Sequence, residues 1–302
     1  MGINVELDPF DDSSKANLAN EKINDIINKV DELDLMPQVA QRIMMVTKDK
    51  KATISDLEKT ISLDQSLIAK ILQIANSSFY GLEREVKTLR KAIVVLGLKE
   101  LRDIAISAAL LNMYGRSTAS QIKNWDFAVG AAIGSKIISQ ELSDLETEEC
   151  FISGLLLNIG RVVLNKIYPE DCEKVFQDYV EGKGRYEVLE EDFFGFQTSQ
   201  LGYEISKLWN FSDNIQNVVR FSKSLPASYS HQYNDMQIWN IAIANMATLY
   251  CHRLGIGFKS PEPEVDIFGS EANQVLKLNM DRLEDIFETI KLAYYDNKCL
   301  FL

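Results

Sequence analysis

Two histidines, His231 and His252, are the whole imidazole complement of this 302-residue chain. Neutral imidazole binds metal and titrates near neutrality, so most hydrolytic metal centres and acid–base relays recruit several of them. His231 lies in the polar stretch Ser228-Tyr-Ser-His-Gln-Tyr233 and His252 near the end of an expected helix, with no His-x-x-x-His pair. Both are expected in solvated or capping roles. The acidic run Glu190-Glu191-Asp192 comes nearest to paired catalytic carboxylates. Adjacent helical residues diverge by about 100°, however, so the run reads as a solvated helix face. Leu254-Gly-Ile-Gly257 lacks the third glycine of a dinucleotide fingerprint and follows no strand, and neither GxxxxGK[ST] nor GxSxG occurs. Cys150, Cys172, Cys251 and Cys299 are scattered without a CxxC pair. With a short acidic N-terminus lacking an apolar core, they are expected as reduced thiols in a cytoplasm. Cys299-Leu-Phe-Leu302 matches a prenylation pattern, but Tyr294-Tyr-Asp-Asn-Lys298 supplies no polybasic second signal, so an apolar end tucked onto the body is expected.

The elements that would position such groups are helical throughout. Apolar residues recur at three- and four-residue spacing in Lys15–Leu33 (Ile23, Ile26, Ile27, Val30) and again from Pro37 through Val39, Ile43 and Met44. Asp64 is placed to cap Gln65–Ala75, and Gly97 to separate Leu89–Leu96 from Leu98–Met113. Beyond Gly115-Arg116-Ser117 the same period runs from Ala119 to Leu254, and Glu271–Leu278 and Arg282–Tyr295 follow the one Gly/Pro-rich loop, 255–270. No alternating pattern lasts six residues. An apolar fraction of 46% with only 15 Gly and 6 Pro fits a globular chain that buries a large core. The longest apolar run noted, Ala105–Met113, is broken by Ser107 and Asn112 and falls short of the ~20 residues that cross a bilayer. The sequence thus predicts an all-α body with a short acidic segment 1–14, an N-terminal helical part 15–116 and a second helical part 117–302.

Charge divides along the same seam. Between Gln41 and Arg102 twelve basic residues face seven acidic ones, a net +5, while the whole chain carries −12 and the remainder therefore −17. So acidic a surface argues against nucleic acid and anionic membrane as partners. Arg84, Lys87, Arg90 and Lys91 are the densest basic group and the candidate partner surface.

Four runs occur in order at close spacing: Leu35-Met-Pro37, Ser62-Leu-Asp-Gln-Ser-Leu67, Ile71-Leu-Gln-Ile-Ala-Asn-Ser77 and Ala92-Ile-Val-Val-Leu-Gly97. Together they resemble the bacterial HDOD family, signalling relatives of the HD-type metal-dependent phosphohydrolases. Met36 and Gln65 depart from the family's usual forms. The resemblance continues through Gly154-Leu-Leu-Leu-Asn-Ile-Gly-Arg161 and Leu201-Gly202 to Trp209, spanning about residues 20 to 255.

The resemblance implies an HD-like helical bundle with a smaller N-terminal helical subdomain. In the HD enzymes a His-Asp pair that binds metal precedes an Ile-Gly step; here that step is Ile159-Gly160, and Leu157 and Asn158 hold the pair's places. Leu has no lone pair, and an amide oxygen is a poor substitute for carboxylate at a transition metal. The other ligand positions fall near Phe127, Thr198 and Phe221-Ser222, none a histidine. No catalytic residue, metal or cofactor carries over, and the Leu157–Asn158 site reads as a packed relic. Asn76, Ser77, Gly97 and Gly160 are expected to be structural, with Asn76 suited to a left-handed helix end. The expected function is non-enzymatic signal transduction in a bacterial cytoplasm, through contacts with other signalling proteins. The alternatives are a divergent phosphohydrolase or phosphodiesterase acting on a nucleotide or cyclic dinucleotide, and a small-ligand sensor using the vacated pocket.

Overall fold

Local chemistry starts and stops the helices. The Asp64 carboxylate accepts from the backbone N–H groups of Ser66 (2.9 Å) and Leu67 (3.1 Å), satisfying donors that a helix start leaves free. Thr88, Thr118, Ser212, Asn234 and Ser270 cap five further helices in the same way. Gly97 ends one helix and precedes the next at φ +87°, a backbone conformation that costs a side chain but not glycine. In a computed structural model that describes residues 13–33, 35–48, 53–76, 85–142, 149–226 and 233–297, the outcome is sixteen helices and no strand among the described residues.

The first six are α1 Ser13–Glu32, α2 Gln38–Lys48, α3 Ile54–Ile61, α4 Gln65–Ala75, α5 Leu89–Leu96 and α6 Leu98–Tyr114. The next five are α7 Ala119–Glu141, α8 Cys150–Leu156, α9 Ile159–Ile167, α10 Pro169–Val180 and α11 Tyr186–Phe194. The last five are α12 Thr198–Leu208, α13 Asp213–Arg220, α14 Asp235–Leu254, α15 Glu271–Leu276 and α16 Met280–Asn297. Most sequence-predicted boundaries lie within two residues of these.

Helix α6 contacts helices both before and after it in the chain. It packs against α2, α3, α4 and α5 on one side and against α7, α8 and α9 on the other. Its last residue, Tyr114, donates a buried hydrogen bond to the Leu155 carbonyl (2.7 Å) and meets the Trp125 ring edge-on. Helix α7 is packed by α8, α14 and α16 and buried along most of its length. Helix α1 lies against α12, where Lys22 and Lys29 reach the Phe194 carbonyl and the Tyr168 hydroxyl.

Two sequence readings change here. The stretch Cys150–Ile167, not Ala105–Met113, is the apolar maximum, with a mean hydropathy of 1.4 over 18 residues. It is long and apolar enough to span a bilayer by composition, yet it divides into α8 and α9 and 89% of it is buried inside the protein. Asn76 ends α4 at φ −85°, not left-handed. Its side chain grips the Val86 backbone instead, with Oδ1 accepting from N–H (2.7 Å) and Nδ2 donating to C=O (2.8 Å). A polar amide thus ties the end of α4 to the strand-like entry into α5, which a helix-ending backbone twist alone would not do. Ser77, Arg84, His231 and Cys299 lie outside the described residues.

Candidate functional site

The α9 helix can approach α12 closely because Gly160 has no side chain. A Cβ there would lie 2.0 Å from the Thr198 carbonyl oxygen and 2.7 Å from the Gly202 amide nitrogen. That backbone-to-backbone approach places the start of α9 beside the start of α12. Phe127, Leu157, Asn158, Thr198 and Ser222 consequently line one small cavity of about 50 Å³. These are the places, or the neighbours of places, where the sequence comparison put the HD ligands, so those positions converge in space.

The donors at the HD positions do not suit a metal centre. Two of the five carry no heteroatom in the side chain, two are hydroxyls and one is an amide, so these positions offer a transition ion neither imidazole nor carboxylate. The cavity's own imidazole and carboxylate, His252 and Glu187, stand elsewhere on its wall and are engaged, His252 with Phe258 and Glu262 and Glu187 with Arg161 and Lys223. Among the described residues no three His, Cys, Asp or Glu gather as a metal-binding group. Leu157 is 4% exposed and belongs to the core. Asn158 donates through Nδ2 to the Asn124 carbonyl (3.1 Å), but its buried Oδ1 has no partner.

The cavity is not a sealed relic. It adjoins two larger hollows of about 240 and 330 Å³, and Glu187 and His252 line all three. The walls come from the start of α11, the turn after α13, one face of α14 and the loop between α14 and α15. Arg161, at the inner end, is held by Glu190 in a two-pronged pair: Nε to Oε1 and Nη2 to Oε2, both 2.6 Å. Its guanidinium also stacks over the Tyr186 ring, 4.3 Å from the centroid. Burial disfavours the Arg161 charge, and Glu190 with Tyr186 more than reverses that, so its pKa is raised.

Glu190 is therefore a correction. The run Glu190-Glu191-Asp192 is not a uniform solvated face, because Glu190 is only 3% exposed and neutralises a buried cation. The signal was present in the spacing: Tyr186 and Glu190 stand four residues apart on one helix face, and both point inward. His252 is a second correction. It is no cap and only partly exposed; its ring stacks on Phe258 at 3.7 Å between centroids and its Nδ1 lies 3.3 Å from Glu262 Oε2.

Three more charged groups that the sequence reading did not single out complete the cleft: Glu187, Arg185 and Lys223. Burial works to raise the Glu187 pKa, but Arg161, its own backbone amide, His252 and Lys223 outweigh it and hold the carboxylate below its usual range. Loss of water and the Arg161 charge push the Lys223 ammonium down. Loss of water likewise lowers His252, against the pull of Glu187 and Glu262. The thiols of Cys172 and Cys251 are pushed up by burial, which removes them as activated nucleophiles.

The candidate partner residues sit elsewhere, on α5 and its approach. Arg90 and Lys91 are exposed, as the buried set Leu89, Ala92 and Ile93 requires. Arg90 lies 3.8 Å from Glu58 and Lys87 3.4 Å from Glu85, so part of the basic charge is locally paired. Val94, one turn beyond Arg90, is 79% exposed.

Known proteins share this architecture. A crystal structure of an HDOD domain protein with unknown function from Geobacter sulfurreducens matches at a TM-score of 0.79 and 22% identity, covering 96% of this chain and 98% of that one. A Shewanella amazonensis SB2B protein, provisionally named a phosphohydrolase, matches at 0.69 and 21%, covering 91% and 97%. An uncharacterized Treponema pallidum (strain Nichols) protein is 22% identical over 269 residues, 89% of this chain, which spans about half of that relative's length. The HDOD domain family model matches residues 33–225, a stretch that contains α2 to α13 and with them most of the cleft. With helices, motif residues and family model in agreement, the chain belongs to the HDOD family.

Proposed function

We propose that this HDOD chain is a non-enzymatic regulatory module that acts by binding other signalling proteins. The observation that carries the reading is the donor set at the converged HD positions: Phe127, Leu157, Asn158, Thr198 and Ser222 supply no imidazole or carboxylate to hold a catalytic metal. The nearest carboxylates have other work, Glu190 on Arg161 and Glu187 between Arg161, Lys223 and His252. For a partner surface, the exposed face of α5 combines Arg90 and Lys91 with the bare side chains of Val94 and Val95. On a chain with a net charge of −12, this local basic and apolar face suits an acidic protein partner.

The test pairs a metal assay with a hydrolysis assay. Purified protein is expected to carry no stoichiometric transition metal by mass spectrometry. With added manganese it should leave bis(p-nitrophenyl) phosphate and cyclic dinucleotides at the uncatalysed rate. Stoichiometric metal, or turnover abolished by Asn158→Ala, overturns the reading in favour of a divergent phosphohydrolase.

A further inference from the structure

Several hydrogen-bonding groups converge in the cleft without partners. The Asn158 side chain is 9% exposed and its Oδ1 is unbonded. Arg161 uses Nε and Nη2 on Glu190, and no described residue accepts from its Nη1. The hydroxyls of Thr198, Ser199 and Ser222, which line the same inner cavity, bond to no described residue either. A buried acceptor left unmade at Asn158, beside a guanidinium nitrogen and hydroxyls that line the hollow with no described partner, fits a site that a polar molecule completes.

Charge narrows the molecule. The inner cavity is bounded by two cations, Arg161 and Lys223, and by one carboxylate, Glu187. A simple anion filling it would sit against Glu187, and a simple cation would sit against Arg161 and Lys223. A molecule carrying both signs meets both walls with charge-assisted hydrogen bonds. Size narrows it further. About 50 Å³ accommodates a carboxylate group, while the adjoining hollows of about 240 and 330 Å³ leave room for a side chain against Leu249, Phe258 and Val265.

We propose that the cleft binds a small zwitterion of the amino-acid class, with its carboxylate on Lys223, Arg161 Nη1 and the Ser and Thr hydroxyls, and its ammonium on Glu187. The side chain then occupies the outer hollow beside the stacked His252–Phe258 pair, whose wall selects among side chains. The proposal rests on the regulatory reading only for its meaning as a signal input. Turnover of a phosphoester would overturn that reading and leave binding standing, whereas failure to bind amino acids overturns this proposal alone.

The test is thermal denaturation followed by calorimetry on the full chain, with each of the twenty amino acids at about 10 mM. Acetate, inorganic phosphate and methylammonium serve as single-charge probes. At least one amino acid should raise the melting temperature saturably, while the three probes leave it unchanged. Glu187→Gln and Lys223→Met should each weaken that binding at least tenfold. Their unliganded melting temperatures report folding separately, and Arg282→Gln, an exposed α16 residue that lines none of the three hollows, should bind within threefold of the parent. No response to any amino acid overturns the proposal. So does an equal response to acetate or phosphate, which would make the cleft a plain anion site, and so does full affinity in Glu187→Gln.

Discussion

Removing the Glu190 carboxylate should be among the most damaging single changes in the cleft, although the residue sits in a run of acidic residues that looks dispensable. In Glu190→Ala the Arg161 guanidinium stays buried, with side-chain exposure of 8%, and loses both 2.6 Å hydrogen bonds. Breaking one side of such a pair costs roughly 3–5 kcal/mol, because an uncompensated charge is left out of water. Glu187 also faces Arg161 and remains to offset part of the charge, which places the expected loss near the lower end, about 3 kcal/mol. A chain of this length unfolds with an entropy of about 0.6 kcal/mol/K, so the melting temperature should fall by about 5 °C. Urea unfolding followed through tryptophan fluorescence measures the loss directly. The double variant Arg161→Met, Glu190→Leu removes the charge along with its partner and should recover most of it, since apolar groups of similar volume replace buried ion pairs at little cost. Glu190→Ala unfolding within about 0.5 kcal/mol of the parent, or a double variant no better than the single, would refute the claim that Arg161 is buried and dependent on Glu190.

Four other outcomes follow from the same packing. Leu157→Asp puts a carboxylate into a core site 4% exposed, where Arg161 is already paired with Glu190 and Lys223 on the same cavity offsets only part of the charge, and should cost about 3 kcal/mol by urea unfolding. A near-parental midpoint would mean the position is open to water. Gly160→Ala drives a Cβ into the Thr198 carbonyl and should lower stability far more than Gly97→Ala, where open space surrounds the Cβ and only the positive φ resists, at about 1–2 kcal/mol. Equal losses at the two would show that space at α9–α12 is not limiting. Burial holds the His252 pKa lower in the fold than in the unfolded chain, against the pull of Glu187 and Glu262, so its contribution is fully present above the unfolded value of about 6.5 and lost as pH falls below it. The parent should therefore lose more melting temperature between pH 7.5 and 5 than His252→Gln does; parallel curves would contradict this. Arg90→Glu with Lys91→Glu should slow association with an acidic partner more at low salt than at high, and leave folding nearly untouched because both side chains are exposed. An unchanged rate at low salt would return α5 to an ordinary solvated helix.

The helices were legible because their signals are local. Asp64 as a cap, Gly97 as a break and the apolar spacing of α1, α4 and α5 each depend on residues within a few positions, and the structure uses them as read. The converged HD positions were legible through resemblance, since the Ile159-Gly160 step fixes where Leu157 and Asn158 must stand. The charged lining of the cleft was not. Glu187, Lys223 and His252 come from three separate helices or turns, and nothing in their own neighbourhoods marks them as facing one another. Asn76 shows the same limit on a smaller scale: its type announced a helix end, but its grip on Val86, ten residues on, belongs to the tertiary fold.

The shape of the cleft has a physical cause in the packing of its helices. Its inner wall is fixed by the crossing of α9 and α12, where Gly160 and Gly202 let backbones approach, and a Cβ on Gly202 would meet Val219 Cγ1 at 2.8 Å. That crossing is set by core packing through Leu201, Ile205, Val162 and Val163, all buried. A crossing so fixed leaves a hollow at the start of α9 and α12 whatever residues line it. What the lining decides is chemistry: Leu157 and Phe127 close part of the hollow with apolar bulk, while Arg161, Lys223 and Glu187 keep the rest polar and charged. Helix α8, which ends at this hollow, receives the Tyr114 hydroxyl from the last residue of α6 at Leu155, two residues before Leu157. Since α6 also packs α5, the α5 face proposed for partners and the cleft share one buried helix. We propose that a ligand in the cleft which displaces Leu157 is felt at α5 through α8 and α6. Tyr114→Phe, which deletes only the hydroxyl at the midpoint of that route, should leave ligand affinity intact and weaken any effect of ligand on partner binding. Unaltered coupling in that variant would remove α6 from the route.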